Sequence, residues 1–285
     1  MPRRYSELYI ALRNALRAAG VEAADVEARL IAAASSGKTT AQLLRDMTLY
    51  TTDDVEKCAA NMLSRRLAGE PVAYITGVWE FRGLPMEVSP EVLIPRPDTE
   101  VLAGEAIAFL EERRRDGRVL DLCSGTGCIG LAIADALPRT RVVLADISGE
   151  AIEISRRNAE RNNLAARVGY MLCDAKAAAP VMAGSFDLIV SNPPYIPSFE
   201  MLTLDASVRD YEPIWALDGG EDGLDFYRAI LKNWLAVLRP GGALMFEVGE
   251  DEAEPVRELM LMSGLHDAAC VRDTRGVERV VKAFN

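Results

Sequence analysis

Apolar residues recur every three to four positions through residues 1–70, as in LYIALRNAL, VEARLIAAA and TAQLLRDM. That spacing predicts amphipathic helices. SSGKTT (35–40) and TLYTTDD (48–54) interrupt it as turns, with Thr or Asp capping the helix that follows. A bundle of about four short helices is therefore expected, forming a small domain over 1–73. Over 71–97 the pattern changes to VAYITGVWEFRGLPMEVSPEVLIPRP, rich in Gly, Pro, aromatic and β-branched residues. This predicts a hairpin or extended linker over 74–97. Helical spacing returns over 98–116 and ends in the charged run EERRRDGR, read as a solvated helix end.

From residue 118 short apolar runs alternate with amphipathic ones. RVLDL, RVVLADI, VGYMLC, FDLIVS and ALMFEVG predict strands, and CIGLAIADAL, EAIEISRRNAERNN, GLDFYRAILKNWLAVL and EAEPVRELMLMS predict helices. The third helix of this series is expected to stop at Pro240-Gly241-Gly242. Strands alternating with helices imply a doubly wound, Rossmann-like α/β sheet, mostly parallel. The last two runs, HDAACVR and ERVVKAF, have no helix between them, so an antiparallel pair is expected at or near one edge. Residues 98–285 form this second domain.

Composition narrows the function. The chain has 285 residues, 49% hydrophobic and 26% charged, and a net charge of −11. Residues 1–70 carry ten Lys/Arg against nine Asp/Glu, and the rest twenty-two against thirty-four. An acidic body argues against stable binding to duplex nucleic acid. No apolar run reaches the roughly 18 residues of a membrane span. The opening MPRRYSELYIALRNALRAAG is interrupted by Arg13 and Arg17 at helical period, which reads as an amphipathic helix and not an export signal. Five cysteines without a CxxC pair fit reduced thiols in a cytoplasmic protein. His266 is the single histidine, so a Ser-His-Asp triad or a multi-histidine metal site would rest on it alone. No metal site is expected, and His266 is read as a surface residue near the start of a late strand.

Two stretches carry chemistry. After the first parallel strand comes Asp121-Leu122-Cys123-Ser124-Gly125-Thr126-Gly127-Cys128-Ile129-Gly130, in which Gly125, Gly127 and Gly130 fit GxGxxG. Asp146 closes the second strand 21 residues after Gly125, where a carboxylate can accept both hydroxyls of a ribose. The pattern suits NAD(P) or S-adenosylmethionine. Asp121 favours the second, because a carboxylate before the loop suits an ammonium group and suits a phosphate poorly. Asp121 can equally bond the loop amides. Asp174, closing the third strand, can accept from an adenine amino group or cap a helix.

The fourth strand ends in Asn192-Pro193-Pro194-Tyr195. Both Asn192 and Pro193 precede prolines, so this backbone is held extended. The Asn192 side-chain carbonyl and the Pro193 backbone carbonyl are fixed acceptors, matching the two N–H bonds of a planar –NH2 group. Tyr195 offers a face on which such a group can stack. An amide nitrogen is a poor nucleophile because its lone pair is delocalised. Holding both N–H bonds aims that lone pair at a methyl donor and stabilises the charge developing on nitrogen.

NPPY with DLCSGTGCIGLAIA resembles the class I S-adenosylmethionine-dependent methyltransferases that act on planar nitrogens. GVWEFRGLPMEV…LIPRPDTEVL (77–102) and YEPIWALDGGEDGLDFYRAI (211–230) resemble the protein glutamine methyltransferases of the HemK/PrmC type, which modify the GGQ glutamine of peptide-chain release factors. The resemblance covers roughly 75–285, with an N-terminal helical segment of similar length and character. It implies that Asn192, Pro193, Pro194 and Tyr195 bind the substrate glutamine. It implies that Cys123, Ser124, Gly125, Thr126 and Gly127 line the methionine part of the cofactor, and that Asp146 holds the ribose. The family often has an aromatic residue beside the adenine where this chain has Ala175, and glycine is common where it has Cys123. Three other readings stand beside this one: a glutamine methyltransferase of a ribosomal protein, an adenine-N6 methyltransferase of DNA or RNA, and a NAD-linked oxidoreductase. The last leaves NPPY unexplained.

Overall fold

A computed structural model describes residues 3–113 and 117–285. The middle of the charged run EERRRDGR lies outside the described residues. The chain folds into two compact units.

One unit takes in the chain up to Val78 together with Ala206–Tyr211. Its helices are α1 (Tyr5–Ala18), α2 (Ala24–Ser35), α3 (Thr40–Arg45), α4 (Asp53–Leu67) and α5 (Val72–Thr76). Leu8, Leu12 and Leu16 of α1 and Ala28, Ile31 and Ala32 of α2 are buried, as their spacing requires. Thr39 and Thr52 cap α3 and α4 by accepting from the N–H groups of Gln42 and Val55. Helix α5 is a fifth element where the sequence suggested the start of a hairpin. Its β-branched residues are buried on a single turn, which Gly77 ends in the left-handed conformation (φ 73°). The Tyr211 hydroxyl donates to the Ala68 carbonyl at 3.1 Å, so 206–211, read from sequence as part of the α/β domain, belongs here.

The second unit opens at Trp79, inside the hairpin of β1 (Val78–Phe81) and β2 (Leu84–Glu87). Arg82 (φ 48°) and Gly83 (φ 80°) form its two-residue turn, with positive φ at both positions. The hairpin leans on α8 (Gly149–Arg161), where Asn158 Oδ1 accepts from the Glu87 N–H. Between hairpin and α8 come α6 (Thr99–Glu112), β3 (Arg118–Leu122), α7 (Cys128–Ala136) and β4 (Arg141–Asp146). After α8 come β5 (Val168–Leu172), β6 (Phe186–Ser191) and β7 (Ile196–Pro197). The short α9 (Ala206–Arg209) falls in the first unit. It is followed by β8 (Asp218–Gly220), α10 (Asp225–Trp234), β9 (Leu238–Glu247), α11 (Ala253–Met262), β10 (His266–Arg272) and β11 (Glu278–Phe284).

Among the described residues the main sheet has seven strands in the order β10-β11-β9-β6-β3-β4-β5. β9, β6, β3, β4 and β5 run parallel, while β11 is antiparallel to both β9 and β10. The sheet is apolar on both faces, as its parallel strands demand. Val119, Leu188, Val190 and Met245 pack on one side with Leu102, Leu110, Ile129 and Ile133. The alternate residues Leu120, Ile189, Leu244 and Phe246 pack on the other with Tyr227, Ile230, Trp234 and Val256. Strand β9 begins at Leu238 and runs through Pro240-Gly241-Gly242, read from sequence as a helix stop. A register irregularity against β6 between Phe186 and Leu188 accommodates the proline and glycines. His266 is exposed at the start of β10 and contacts the Asp267 carboxylate. Among the described residues no helix is long and apolar enough to cross a membrane.

Candidate active site

The chain winds from β3 outward through β4 to β5, then returns to place β6 on the other side of β3. Ligands of doubly wound sheets bind beyond the carboxyl ends of the strands at such a reversal. Here the Ser191 hydroxyl at the end of β6 donates to the Leu122 carbonyl at the end of β3, at 2.8 Å. The glycine loop and Asn192 therefore emerge side by side. A cavity of about 260 Å³ opens there, lined by Cys123–Thr126, Asp146, Asp174, Ala175, Asn192 and Pro194 among others.

Each glycine of the loop has its own reason. A Cβ on Gly130 would lie 2.5 Å from Leu144 Cδ2 and 2.8 Å from Val142 Cγ1, so this glycine lets α7 close onto β4. Gly125, at φ 52°, has nothing within 4 Å of the place a Cβ would take, and lines the cavity. It is left for approach by a ligand. Cys123 also takes a positive φ, 58°. Ser124 Oγ is buried without a hydrogen-bond partner. Asp146 accepts from the Gly125 N–H at 2.8 Å through one oxygen and from the Ser148 N–H at 3.0 Å through the other. Burial raises its pKa against those bonds.

Asp121 is set behind the loop and does not line the cavity. It is fully buried, and its Oδ2 accepts from the Gly130 N–H at 2.9 Å. Of the two sequence readings, the geometry realises the carboxylate that bonds a loop amide. Burial pushes its pKa up to about 7. Asp174 lines the cavity with Oδ1 accepting from the Lys176 N–H at 2.7 Å, a local turn and not a helix cap. Ala175 is buried, its carbonyl receiving the Trp234 indole N–H at 2.9 Å.

Asn192 and Pro194 line the cavity; Pro193 and Tyr195 do not. The Asn192 Nδ2 lies 3.4 Å from Thr99 Oγ1, the first residue of α6. Tyr195 packs its ring with the second core layer, and burial raises its pKa well above the usual phenol range. Its backbone is pressed by the 218–223 loop. A Cβ on Gly219 would lie 2.6 Å from Tyr195 Cα, and one on Gly223 would lie 2.4 Å from the Tyr195 carbonyl oxygen. These glycines allow β8 to pair with β7 and fix the chain after the second proline.

The family described as "Methyltransferase small domain" matches residues 104–203, and "PrmC N-terminal domain" matches 7–77. The release factor glutamine methyltransferase of Geobacter sulfurreducens is 42% identical over 275 residues, covering 94% of this chain and 92% of that protein. The enzyme of the same name from Bradyrhizobium diazoefficiens is 39% identical over 271 residues, covering 94% and 90%. This chain belongs to the release factor glutamine methyltransferases. A methyltransferase from Pyrococcus furiosus, 21% identical, superimposes with a TM-score of 0.50 over 79% of this chain and 98% of that one, a likeness of fold.

Several residues of this family member's cavity were not legible from motif spacing. Val92, Leu93, Pro95 and Arg96 come from the segment before α6, Thr99 from its first residue, Trp215 from the segment before β8, and Phe226 from the first turn of α10. The Phe226 ring has the Lys176 ammonium 4.2 Å from its centre. The IPRP and YEP stretches, quoted above only as marks of resemblance, meet in space: Glu212 accepts from Arg96 and from the Ile94 N–H. Cys128 and Cys173 join Cys123 in the lining, and burial raises the pKa of all three thiols.

Proposed function

We propose that this protein transfers the methyl group of S-adenosylmethionine to the side-chain amide nitrogen of the GGQ glutamine of peptide-chain release factors. The observation that carries this reading is the shared cavity: the open glycine loop, Asn192 and Pro194 line one space at the strand-order reversal. The loop suits the proposed cofactor, since Gly125 leaves room for close approach, Ser124 Oγ is an unpartnered buried hydroxyl, and the Asp146 carboxylate lines the same cavity. When bound, S-adenosylmethionine supplies an electrophilic methyl group.

In this reading Cys123–Gly127 hold the amino-acid part of the cofactor, Asp146 the ribose and Asp174 the adenine amino group. Ile147 and Phe226 flank the adenine in place of an aromatic residue at Ala175. Asn192 Oδ1, in the cavity lining, and the Pro193 carbonyl, from outside that lining, are the acceptors for the two N–H bonds of the glutamine amide and orient its lone pair. The nitrogen sheds one proton as it gains carbon. Both acceptors are neutral carbonyls, so that proton passes to solvent. Tyr195 fixes the backbone after Pro194 more than it offers a free stacking face. The helical unit is proposed to recognise the release factor, and the compartment is the cytoplasm, where release factors act.

Methyl transfer from labelled S-adenosylmethionine to a purified release factor tests this, with the GGQ glutamine changed to alanine as control. Label on the first protein alone is expected. Label on neither, with cofactor bound, would overturn the release-factor reading in favour of a ribosomal-protein or nucleic-acid substrate.

A further inference from the structure

An Asn side chain offers an acceptor at one end and a donor at the other. Turning the amide by half a turn exchanges them at little steric cost, so its neighbours decide which end faces a ligand. For Asn192 only one orientation is useful: a primary amide substrate needs Oδ1, and Nδ2 in its place would repel the substrate N–H. Behind Asn192 stands Glu247, the last residue of β9. Ser191 pairs with Phe246 across β6 and β9, so Asn192 and Glu247 sit side by side one step further on. Glu247 is 2% exposed and does not line the cavity, whereas Asn192 and Thr99 do. The Thr99 hydroxyl and the Asn192 amide both favour its charged form, and its Oε2 is buried with no hydrogen-bond partner.

We propose that Glu247 is a positioning residue: with Thr99 it draws the Asn192 Nδ2 away from the cavity and so presents Oδ1 to the substrate amide. This rests on the methyltransfer reading above. A buried carboxyl is costly, and replacing one by an apolar side chain often stabilises a protein. The surroundings of Glu247 compensate it only in part. Arg279, one residue before its β11 partner Val280, acts on it favourably, but Arg279 also pairs with Asp98 at 3.3 Å and reaches Asp273 at 3.7 Å. Asp98, at the start of α6, acts unfavourably. Tyr195, Tyr227 and Cys128 feel the carboxylate from the other sides. Nothing beside them in the chain marks either residue: the sheet register brings Glu247 to Asn192, and the start of α6 brings Thr99.

The test uses the full chain with Glu247→Leu and Glu247→Gln. Leu removes the acceptor at similar volume; Gln keeps one. Glu247→Leu is expected to lower kcat about 100-fold with cofactor affinity, read by calorimetry, unchanged within about twofold. Glu247→Gln is expected to recover to within about tenfold of the parent and to lose the part of the pH profile that Glu247 supplies. In parallel, ¹⁵N spectra of asparagine-labelled protein follow the Asn192 side-chain amide without any substrate. Its two protons are expected to be protected from exchange in the parent and exposed in Glu247→Leu. Undiminished turnover in Glu247→Leu, or an Asn192 amide indifferent to residue 247, would overturn the proposal. If the parent transfers no methyl to release factors while the amide still responds, the positioning role stands and the substrate reading fails.

Discussion

Glu212 accepts a hydrogen bond from Arg96, 116 residues earlier in the chain, and its second oxygen accepts from the Ile94 N–H at 3.4 Å. The carboxylate is nearly buried, while Arg96 is 37% exposed and lines the cavity. One side chain therefore ties down residues 94–96, of which Pro95 and Arg96 form part of the cavity wall. Burial still raises the Glu212 pKa against its partner. Glu212→Ala leaves an N–H and a guanidinium unpaired, and a loss of about 2 kcal/mol is expected, discounted for the exposure of Arg96. Urea unfolding checks it. Because the wall moves with the pair, cofactor affinity should fall together with stability; unchanged affinity would contradict the bracing role.

The folded protein should lose stability as pH rises from about 4 to neutrality. Unfolded carboxyls ionise near 3.8 for Asp and 4.5 for Glu, whereas buried Asp121 and Glu247 hold their protons to about 7. Between those values the folded state binds more protons than the unfolded one, so stability is greatest at the low end and falls until about pH 7. Over the whole window Asp121 can account for up to about 4 kcal/mol and Glu247 for up to about 3 kcal/mol. Thermal melts of the ligand-free protein at pH 5.5 and 7.5 should place the higher Tm at 5.5. Asp121→Asn should flatten the difference, and a rising Tm across this range would sink the assignment.

Gly125 and Gly130 belong to one sequence motif but answer to different tests. Gly130→Ala drives a Cβ into Leu144 and Val142, and about 1–3 kcal/mol of stability should be lost. Gly125→Ala meets no atom but must hold φ 52°, a strain of about 1 kcal/mol, and its methyl occupies the cofactor's approach. Calorimetry should therefore show the larger loss of S-adenosylmethionine affinity in Gly125→Ala and melts the larger loss of stability in Gly130→Ala. The reverse order would refute the division of labour.

That division also marks what was legible in the sequence. The β3, β4, β6, β10 and β11 runs were readable because buried parallel strands are continuous apolar segments and the final pair lacks a helix between them. The glycine loop and NPPY were readable because their chemistry is local. Helix α5 was hidden by its own β-branched residues, whose burial outweighs their strand preference. Glu247, Phe226 and Arg96 were hidden because nothing beside them in the chain reveals which loop they will face. Asp121 shows a finer limit: spacing gave it two partners, and only the position of α7 decides that its Oδ2 meets Gly130.

Asn192→Ala and Asp146→Ala should separate the two halves of the site. Loss of the Asn192 acceptor should cut transfer at least about 100-fold with S-adenosylmethionine still bound. Asp146→Ala should weaken the cofactor at least about tenfold, since it removes both the proposed ribose acceptor and the bond that holds the Gly125 N–H. Calorimetry and single-turnover assays on the same preparations distinguish them; parallel loss of binding in both would show that Asn192 acts on the cofactor.

The 218–223 loop gives the most stringent test of geometry as opposed to contact. A Cβ on Gly219 would meet Tyr195 Cα at 2.6 Å, Tyr195 C at 2.7 Å and the Gly223 carbonyl oxygen at 2.7 Å, all backbone atoms that cannot rotate away. Gly219→Ala must therefore displace the chain beside Pro194, although residue 219 does not line the cavity. A shift of an ångström in the substrate acceptors is enough to cost about 100-fold in rate. The expected outcome is a fall in kcat with near-normal cofactor affinity and a modest drop in Tm. Gly149→Ala, where a Cβ meets nothing within 4 Å, serves as the matched control. If Gly219→Ala turns over like that control, the rigid backing of Asn192–Tyr195 is not what holds the acceptors in place.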